Sequence, residues 1–242
     1  MQIRILPFYL TASLFLMFSA CGTEEPEVNN GEVTMVTLGD APKAYLALED
    51  NIKHDTLLIQ TTFDLGDSTF VMVAGNVEPT FEGIRLYRYT LLPDSAARII
   101  AASSPGYDSW TMLPSFFPLA NDPNTHIITA NFGERESWGQ KLLRMDGSFH
   151  DLGFMDIALP ERVEEEGSLQ LKRRNIGPVT RMAEQGDTLI FNYACDSVYL
   201  YDDQAGHNDI VLPASAVQFT YHPNTGLEIR INGQRRAVKQ PA

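Results

Sequence analysis

Cysteine is scarce in this chain of 242 residues: Cys21 and Cys195 are the only two. They allow one disulfide at most, so a disulfide-stapled scaffold is excluded and apolar burial must hold the core. Basic residues are also few, 18 against 31 acidic ones, for a formal net charge of -13. A surface of that sign repels phosphate backbones and bare anionic lipid, which removes nucleic acid from the candidate partners. The apolar run Ile5–Ala20 contains Pro7 and falls short of the about 20 residues that a bilayer-spanning helix needs. From Val33 onward no segment sustains a 3.6-residue period, so long amphipathic helices are not expected.

Recognisable chemistry is equally sparse. The five histidines, His54, His126, His150, His207 and His222, include no His-x-x-x-His pair, and no metal site is expected from them. His126, His150 and His222 flank turns, where solvated imidazoles are ordinary. Asp196, Asp202, Asp203 and Asp209 lie close together but lack the alternating ligands and terminal Glu of a calcium loop, so they read as polar turn residues. No nucleophile elbow, phosphate-cradling glycine loop or dinucleotide fingerprint occurs, and no cofactor and no catalytic residue is assigned. Cys195 shares the alternation of Leu189, Phe191 and Tyr193 and reads as a small apolar residue pointing into a core.

The N-terminus carries a clear signal. Arg4 precedes the apolar run, which ends in Phe18-Ser19-Ala20-Cys21, small residues before a cysteine as in secretory signals. This resembles the bacterial lipobox, and the resemblance implies a signal peptide over residues 1–20 and acylation of Cys21, the lipidation site. Residues 21–32, Cys-Gly-Thr-Glu-Glu-Pro-Glu-Val-Asn-Asn-Gly-Glu, then form a flexible acidic tether. Gly22 in place of Asp resembles lipoproteins sent on to the outer membrane, and Glu24, Glu25 and Glu27 resemble the acidic stretch of surface-displayed ones. The implied location is the cell envelope, lipid-anchored and membrane-bound through the acyl chains.

Residues 33–242 read as one all-β domain. Short strands form two sets of four, Leu57–Phe63, Thr69–Ala74, Ile84–Leu91 and Arg98–Ala102, then Thr111–Leu119, His126–Phe132, Lys141–Met145 and His150–Phe154. A third set runs Pro178–Ala183, Thr188–Ala194, Val198–Tyr201 and Asp209–Leu212, and half a set, Ala216–Tyr221 and Leu227–Ile231, closes the chain. Similar turns recur between first and second strands: Gly66-Asp67-Ser68-Thr69, Asp122-Pro123-Asn124-Thr125, Gly186-Asp187-Thr188 and Pro223-Asn224-Thr225. Four-stranded antiparallel units at roughly 40 to 55 residues are the pattern of β-propeller blades. Val33–Leu38 and Ala44–Leu48 are expected to complete the last blade and close a four-bladed ring. A twisted β-sandwich is the alternative. Gly186–Tyr193 with Asp196–Asp202 resembles the strand pairs of propeller-like lipoproteins common in Bacteroidota, a domain-of-unknown-function group. That likeness implies a fold and an address, and no catalytic residue.

In such a ring the connections Asn76–Gly83, Ser103–Trp110, Phe132–Gly139 and Asp156–Gly177 share one face. They contain Phe81, Tyr107, Trp110, Phe132, Glu134, Arg135, Glu136 and Trp138. Aromatic planes beside charged groups suit a sugar or a peptide, and Tyr107, Trp110, Phe132, Arg135 and Trp138 are the candidate ligand-binding residues. Packing of Trp110 and Trp138 between blades is the competing account. The run Glu161, Glu164, Glu165, Glu166 before Lys172, Arg173, Arg174 reads as a solvated, self-neutralising connection. The expected function is a non-enzymatic binding module for a glycan, a peptide or another outer-membrane protein. The alternatives are a glycan-acting hydrolase with loop carboxylates such as Asp108, Glu134 and Glu136 about 5 to 10 Å apart, and a structural subunit of an uptake assembly. The anchor is directly testable: Cys21→Ala should abolish acylation and release the protein from membranes, as read by mass and by fractionation. A variant that still partitions with the wild-type mass shift contradicts the lipobox.

Overall fold

Alternating apolar residues between turn signals produce an all-β structure with no α-helix among the described residues. The computed structural model describes residues 38–48, 52–76, 83–105, 111–134, 137–165, 167–201 and 209–238. The signal segment, Cys21, the tether and residues 33–37 of the first expected strand lie outside them. Thr37–Ala242 cluster as one unit.

The strands in chain order are β1 (Leu46–Ala47), β2 (Leu57–Asp64), β3 (Phe70–Asn76), β4 (Arg85–Leu91), β5 (Ala97–Ala102), β6 (Thr111–Pro118), β7 (His126–Glu134), β8 (Ser137–Met145) and β9 (Phe149–Met155). After them come β10 (Ile157–Glu165), β11 (Ser168–Arg174), β12 (Thr180–Gln185), β13 (Thr188–Tyr193), β14 (Ser197–Tyr201), β15 (Asp209–Pro213), β16 (Val217–His222), β17 (Gly226–Ile231) and β18 (Gln234–Ala237). They form four antiparallel sheets with strand orders β1-β2-β3-β4-β5, β6-β7-β8-β9, β12-β13-β16-β17-β18 and β11-β10-β14-β15. The first two sheets hold the first two expected sets. The recurring turns join β2 to β3, β6 to β7, β12 to β13 and β16 to β17, with Thr69 and Thr125 donating back to the Gly66 and Asp122 carbonyls at 2.8 and 2.9 Å.

The third set is divided between two sheets. β12 and β13 pair onward with β16 and β17, not with β14. Phe191 lies opposite Phe219 and Leu189 opposite Tyr221, cross-strand pairs of large side chains that stabilise this partner choice. The bend after β13 carries the chain to the fourth sheet, where β14 pairs with β15 and with the base of β10 at Ile157 and Ala158. The single-turn 3-10 helix Ala214–Ala216 returns it to the third sheet. The terminal half set is thus joined to β12 and β13 and extended by β18, while the expected strand Ala44–Leu48 contributes β1, which pairs with β2 of the first sheet. Between β17 and β18 stands Asn232-Gly233, both at positive φ, +49° and +84°, the hairpin geometry that Asn-Gly favours.

The N-terminal segment serves another purpose. Asp40 bridges Met182 on β12, Lys43 bridges Phe116 on β6, and β1 pairs with β2, so residues 40–47 strap the free edges of three sheets. Covering an edge this way satisfies backbone groups that would otherwise recruit another strand. The expected connection Asp156–Gly177 is also a β-hairpin, β10 with β11, in register from Leu159↔Arg174 to Glu165↔Ser168. Its charges do neutralise one another: Lys172 pairs with Glu165, Arg174 with Glu161 and Arg173 with Asp156.

Burial follows the alternation. On the second sheet, Phe117, Ile127, Leu142 and Met155 point into a core shared with the third and fourth sheets. Met112, Phe116, Ile128, Ala130, Phe132, Leu143 and Met145 point the other way, into a core shared with Val71, Val73, Ile84 and Leu86 of the first sheet region. A third cluster, including Met72, Ala74, Tyr87 and Tyr89, lies on the opposite face of the first sheet. Burial pushes the Tyr89 hydroxyl up to about 12. The division of the third set predicts that Ile190→Cys with Thr220→Cys, in a Cys195→Ser background, oxidises to a disulfide across β13 and β16. Failure of that pair to crosslink in the folded protein, judged by peptide mapping, would remove the assigned register.

Candidate functional site

Where β9, the edge of the second sheet, comes close to β17, a groove of about 510 Å3 opens between the two sheets. One wall is Lys141, Asp151, Leu152, Gly153 and Phe154; the other is Thr225, Gly226, Leu227, Ala237 and Val238. The size falls in the range of small-ligand clefts, and the wall mixes apolar and charged groups as such clefts do.

The charged part of the wall is built by a β-bulge. Register shifts between Leu142 and Leu143, so Gly153 and Asp151 pair with neighbouring residues of β8 and Leu152 is the extra residue. Bulges re-aim side chains, and here Asp151 meets Lys141, Nζ to Oδ2 2.8 Å. Ser104 donates to the same oxygen at 3.0 Å, while the Gly153 N–H donates to Oδ1 at 3.2 Å. Lys141 Nζ also donates to the Pro105 carbonyl at 3.3 Å. The pair is asymmetric, with side-chain exposures of 11% for Lys141 and 45% for Asp151. Phe154 lies across Gly139, where an added Cβ would come within 2.3 Å of the ring.

Of the expected aromatic loop face, Phe132 and Trp138 fall among the described residues. Phe132 belongs to the core of the first two sheets at 4% exposure, because it is an inward position of β7 and not part of a loop. The expected connection Phe132–Gly139 is therefore a short hairpin between β7 and β8. Trp138 is half-buried on β8 and lies over Gly133, its cross-strand partner, with the ring 2.3 Å from where a Cβ would stand. An aromatic ring covering a strand glycine is a packing device. Tyr107, Trp110, Arg135, Phe81, Asp108 and Glu136 lie outside the described residues, as do Asp202, Asp203 and His207. The Glu134 side chain is likewise not described. The Lys141 contact with Pro105 does place the start of the Ser103–Trp110 connection at the groove.

Below Trp138 on the same face of the second sheet runs a buried polar layer. Asn131 Nδ2 donates to the Leu113 and Thr129 carbonyls at 2.7 and 3.1 Å, and Gln140 Nε2 donates to Asn131 Oδ1 at 2.6 Å and to Thr180 Oγ1 at 3.4 Å. Gln140 thereby ties the second sheet to the third. Gly177 approaches so closely that a Cβ would stand 2.5 Å from Asn131 Nδ2.

The other titratable candidates are structurally engaged. His126 is buried at 3% exposure, contrary to the solvated turn residue expected, because the N-terminal strap covers it. His150 is exposed and pairs with Asp146 at 2.9 Å. Cys195 packs against the core of the last three sheets and donates to the Ser197 carbonyl, and burial pushes its thiol up, away from the thiolate that reactivity needs. Among the described residues no group of three or more His, Cys, Asp or Glu is placed to hold a metal ion.

The sequence matches no protein-family model, no curated protein and no solved structure.

The asymmetry of the Lys141–Asp151 pair yields a prediction. Asp151→Asn leaves a largely buried ammonium without its counter-charge and should cost about 1 to 3 kcal/mol in denaturant titration. Lys141→Met leaves a carboxylate that water reaches and should cost under about 1 kcal/mol. Equal costs would show that the pair is no more than a surface contact.

Proposed function

We propose that this chain is a lipid-anchored envelope protein whose β domain is a non-enzymatic binding module, with the groove between β9 and the β17–β18 hairpin as its ligand site. The anchor rests on Phe18-Ser19-Ala20-Cys21 after the apolar run and on the acidic tether that follows. Outer-membrane placement, with surface display, rests on Gly22 and the acidic residues behind it. The repeated hairpin-plus-hairpin sheets support a propeller-like stack, in keeping with the Bacteroidota lipoproteins that the Gly186–Asp202 segment resembles. The layering of the second sheet between the first and the last two equally suits a β-sandwich.

The observation that carries the binding role is the groove itself, an open cleft about 510 Å3 in volume between the β9 edge and the β17–β18 hairpin. Its charged residues already neutralise and position one another, Lys141 on Asp151 and Asp151 on Ser104 and Gly153. Groups so engaged suit orientation of a polar ligand better than proton transfer. Apolar Leu152, Leu227 and Val238 beside them provide contact area. A glycan, a peptide and a segment of an outer-membrane protein all meet these requirements.

Thr225 stands exposed at the rim, which makes the reading testable. The full chain in detergent is screened on glycan and peptide arrays, and Thr225→Trp is compared with wild type on any hit. Obstruction of the groove should weaken binding by about 10-fold or more, the scale of a lost hot spot, with stability within about 0.5 kcal/mol of wild type. Unchanged affinity in that variant would place the ligand elsewhere.

A further inference from the structure

A polar contact fastens the strap over the sheet edges to β7. Tyr45 and His126 share a 2.6 Å hydrogen bond between the phenol and Nε2. Nδ1 of the same ring lies 3.3 Å from the Asn124 carbonyl. A carbonyl can only accept, so the neutral ring carries its proton on Nδ1 and Nε2 accepts from Tyr45. Around them is an aromatic box: Tyr45 stands edge-on to Phe116 with centroids 5.5 Å apart, and Phe63 is edge-on to Phe116 at 5.2 Å. Lys43, two residues before Tyr45 on the strap, holds its ammonium 4.8 Å from the Tyr45 ring centroid.

We propose that the Tyr45–His126 contact is a pH-sensitive latch, and that uptake of a proton by His126 loosens the strap, residues 40–47, from the sheet edges. The reason lies in what surrounds the ring. Lys43 on the strap repels an imidazolium, and Asp122 on the turn before β7 attracts it; Arg144 on β8 acts on Asp122 in turn. The Asp122 carboxylate is spent on Thr125, whose hydroxyl donates to it at 2.7 Å. The residues opposite His126 in the sheet, Pro118 on β6 and Met145 on β8, carry no charge. Burial holds His126 below the usual histidine range, with Lys43 acting in the same direction. With the strap open the ring meets water and returns to about 6.5. The open state therefore binds the extra proton, so strap stability is complete above about pH 6.5 and falls as the pH drops below it. The backbone bonds at stake include Asp40 N–H to Met182 at 2.7 Å and Met182 N–H back to Asp40 at 3.0 Å, Lys43 N–H to Phe116 at 2.8 Å and Leu48 N–H to Thr62 at 3.1 Å, beside the short β1–β2 pairing. This inference does not depend on what the groove binds.

The test is amide hydrogen exchange of the full chain at about pH 7.5 and about pH 5, on either side of an unperturbed histidine, with protection factors corrected for the intrinsic pH dependence. The Asp40 and Lys43 amides should lose protection by about 5-fold or more at the lower pH, while amides in β7 keep theirs. In His126→Gln, whose amide oxygen can still accept from Tyr45 and which does not titrate in this range, the pH step should vanish. Tyr45→Phe keeps the ring and loses the bond, so the strap should already be loosened at about pH 7.5 and the step should shrink by half or more. Wild-type strap protection that is the same at both pH values overturns the latch. So does a full step surviving in His126→Gln or, should that variant not fold, in Tyr45→Phe.

Discussion

The structure depends on one constraint, the burial of the second sheet on both faces. β7 is the clearest case, with Ile127 in one core and Ile128 in the other, and Ala130 and Phe132 continuing toward the first sheet. A one-residue slip would exchange the two faces of such a strand, so its register is strongly specified. Everything else is arranged around this slab: the first sheet on one side, the third and fourth on the other, and the strap along its β6 edge at Phe116. The polar layer of Asn131, Gln140 and Thr180 adds directional bonds to the face that meets the third sheet, and bonds of that kind specify packing.

The groove follows from the same arrangement. β9 is an edge, and its bulge at Leu152 prevents it from templating another strand while turning Asp151 toward Lys141. The result is a cleft whose polar groups are fixed in place by the sheet they belong to, which is the pre-organisation that a binding site requires. The strap answers a related problem at β6 and β12, where single bridges at Lys43 and Asp40 cover backbone edges. It is held to β7 through an ionisable side chain, and that choice couples edge protection to protons.

Much of this was legible in the residues. The strands of the first two sheets and the four recurring turns were, because alternation and turn chemistry are local. The partner of β13 was not, since Val198–Tyr201 and Val217–Tyr221 present the same alternation and the cross-strand pairs Phe191–Phe219 and Leu189–Tyr221 distinguish them only once the strands meet. β10 and β11 were hidden by charge: Glu161, Glu165, Lys172 and Arg174 read as a solvated connection because their neutralisation requires a hairpin partner. β18 is marked locally by Asn232-Gly233 after an alternating run, the hairpin pair. Of the candidate site, Phe132 was misplaced because a strand end and a loop begin with the same residues. The Lys141–Asp151 pair could not be anticipated, because its meeting depends on the bulge at Leu152, which the alternation of β9 does not reveal. His126 read as a solvated turn residue because nothing local to it reveals that Tyr45 covers it.

The central claim, that the doubly buried second sheet organises the domain, is tested most directly by native-state hydrogen exchange across a denaturant series. The amides of β7 and β8 should exchange only through global unfolding, at the full unfolding free energy, while those of β11 and β18, sheet edges with exposed faces, open locally at much lower cost. The opposite order, with β11 or β18 as protected as β7, would contradict the account.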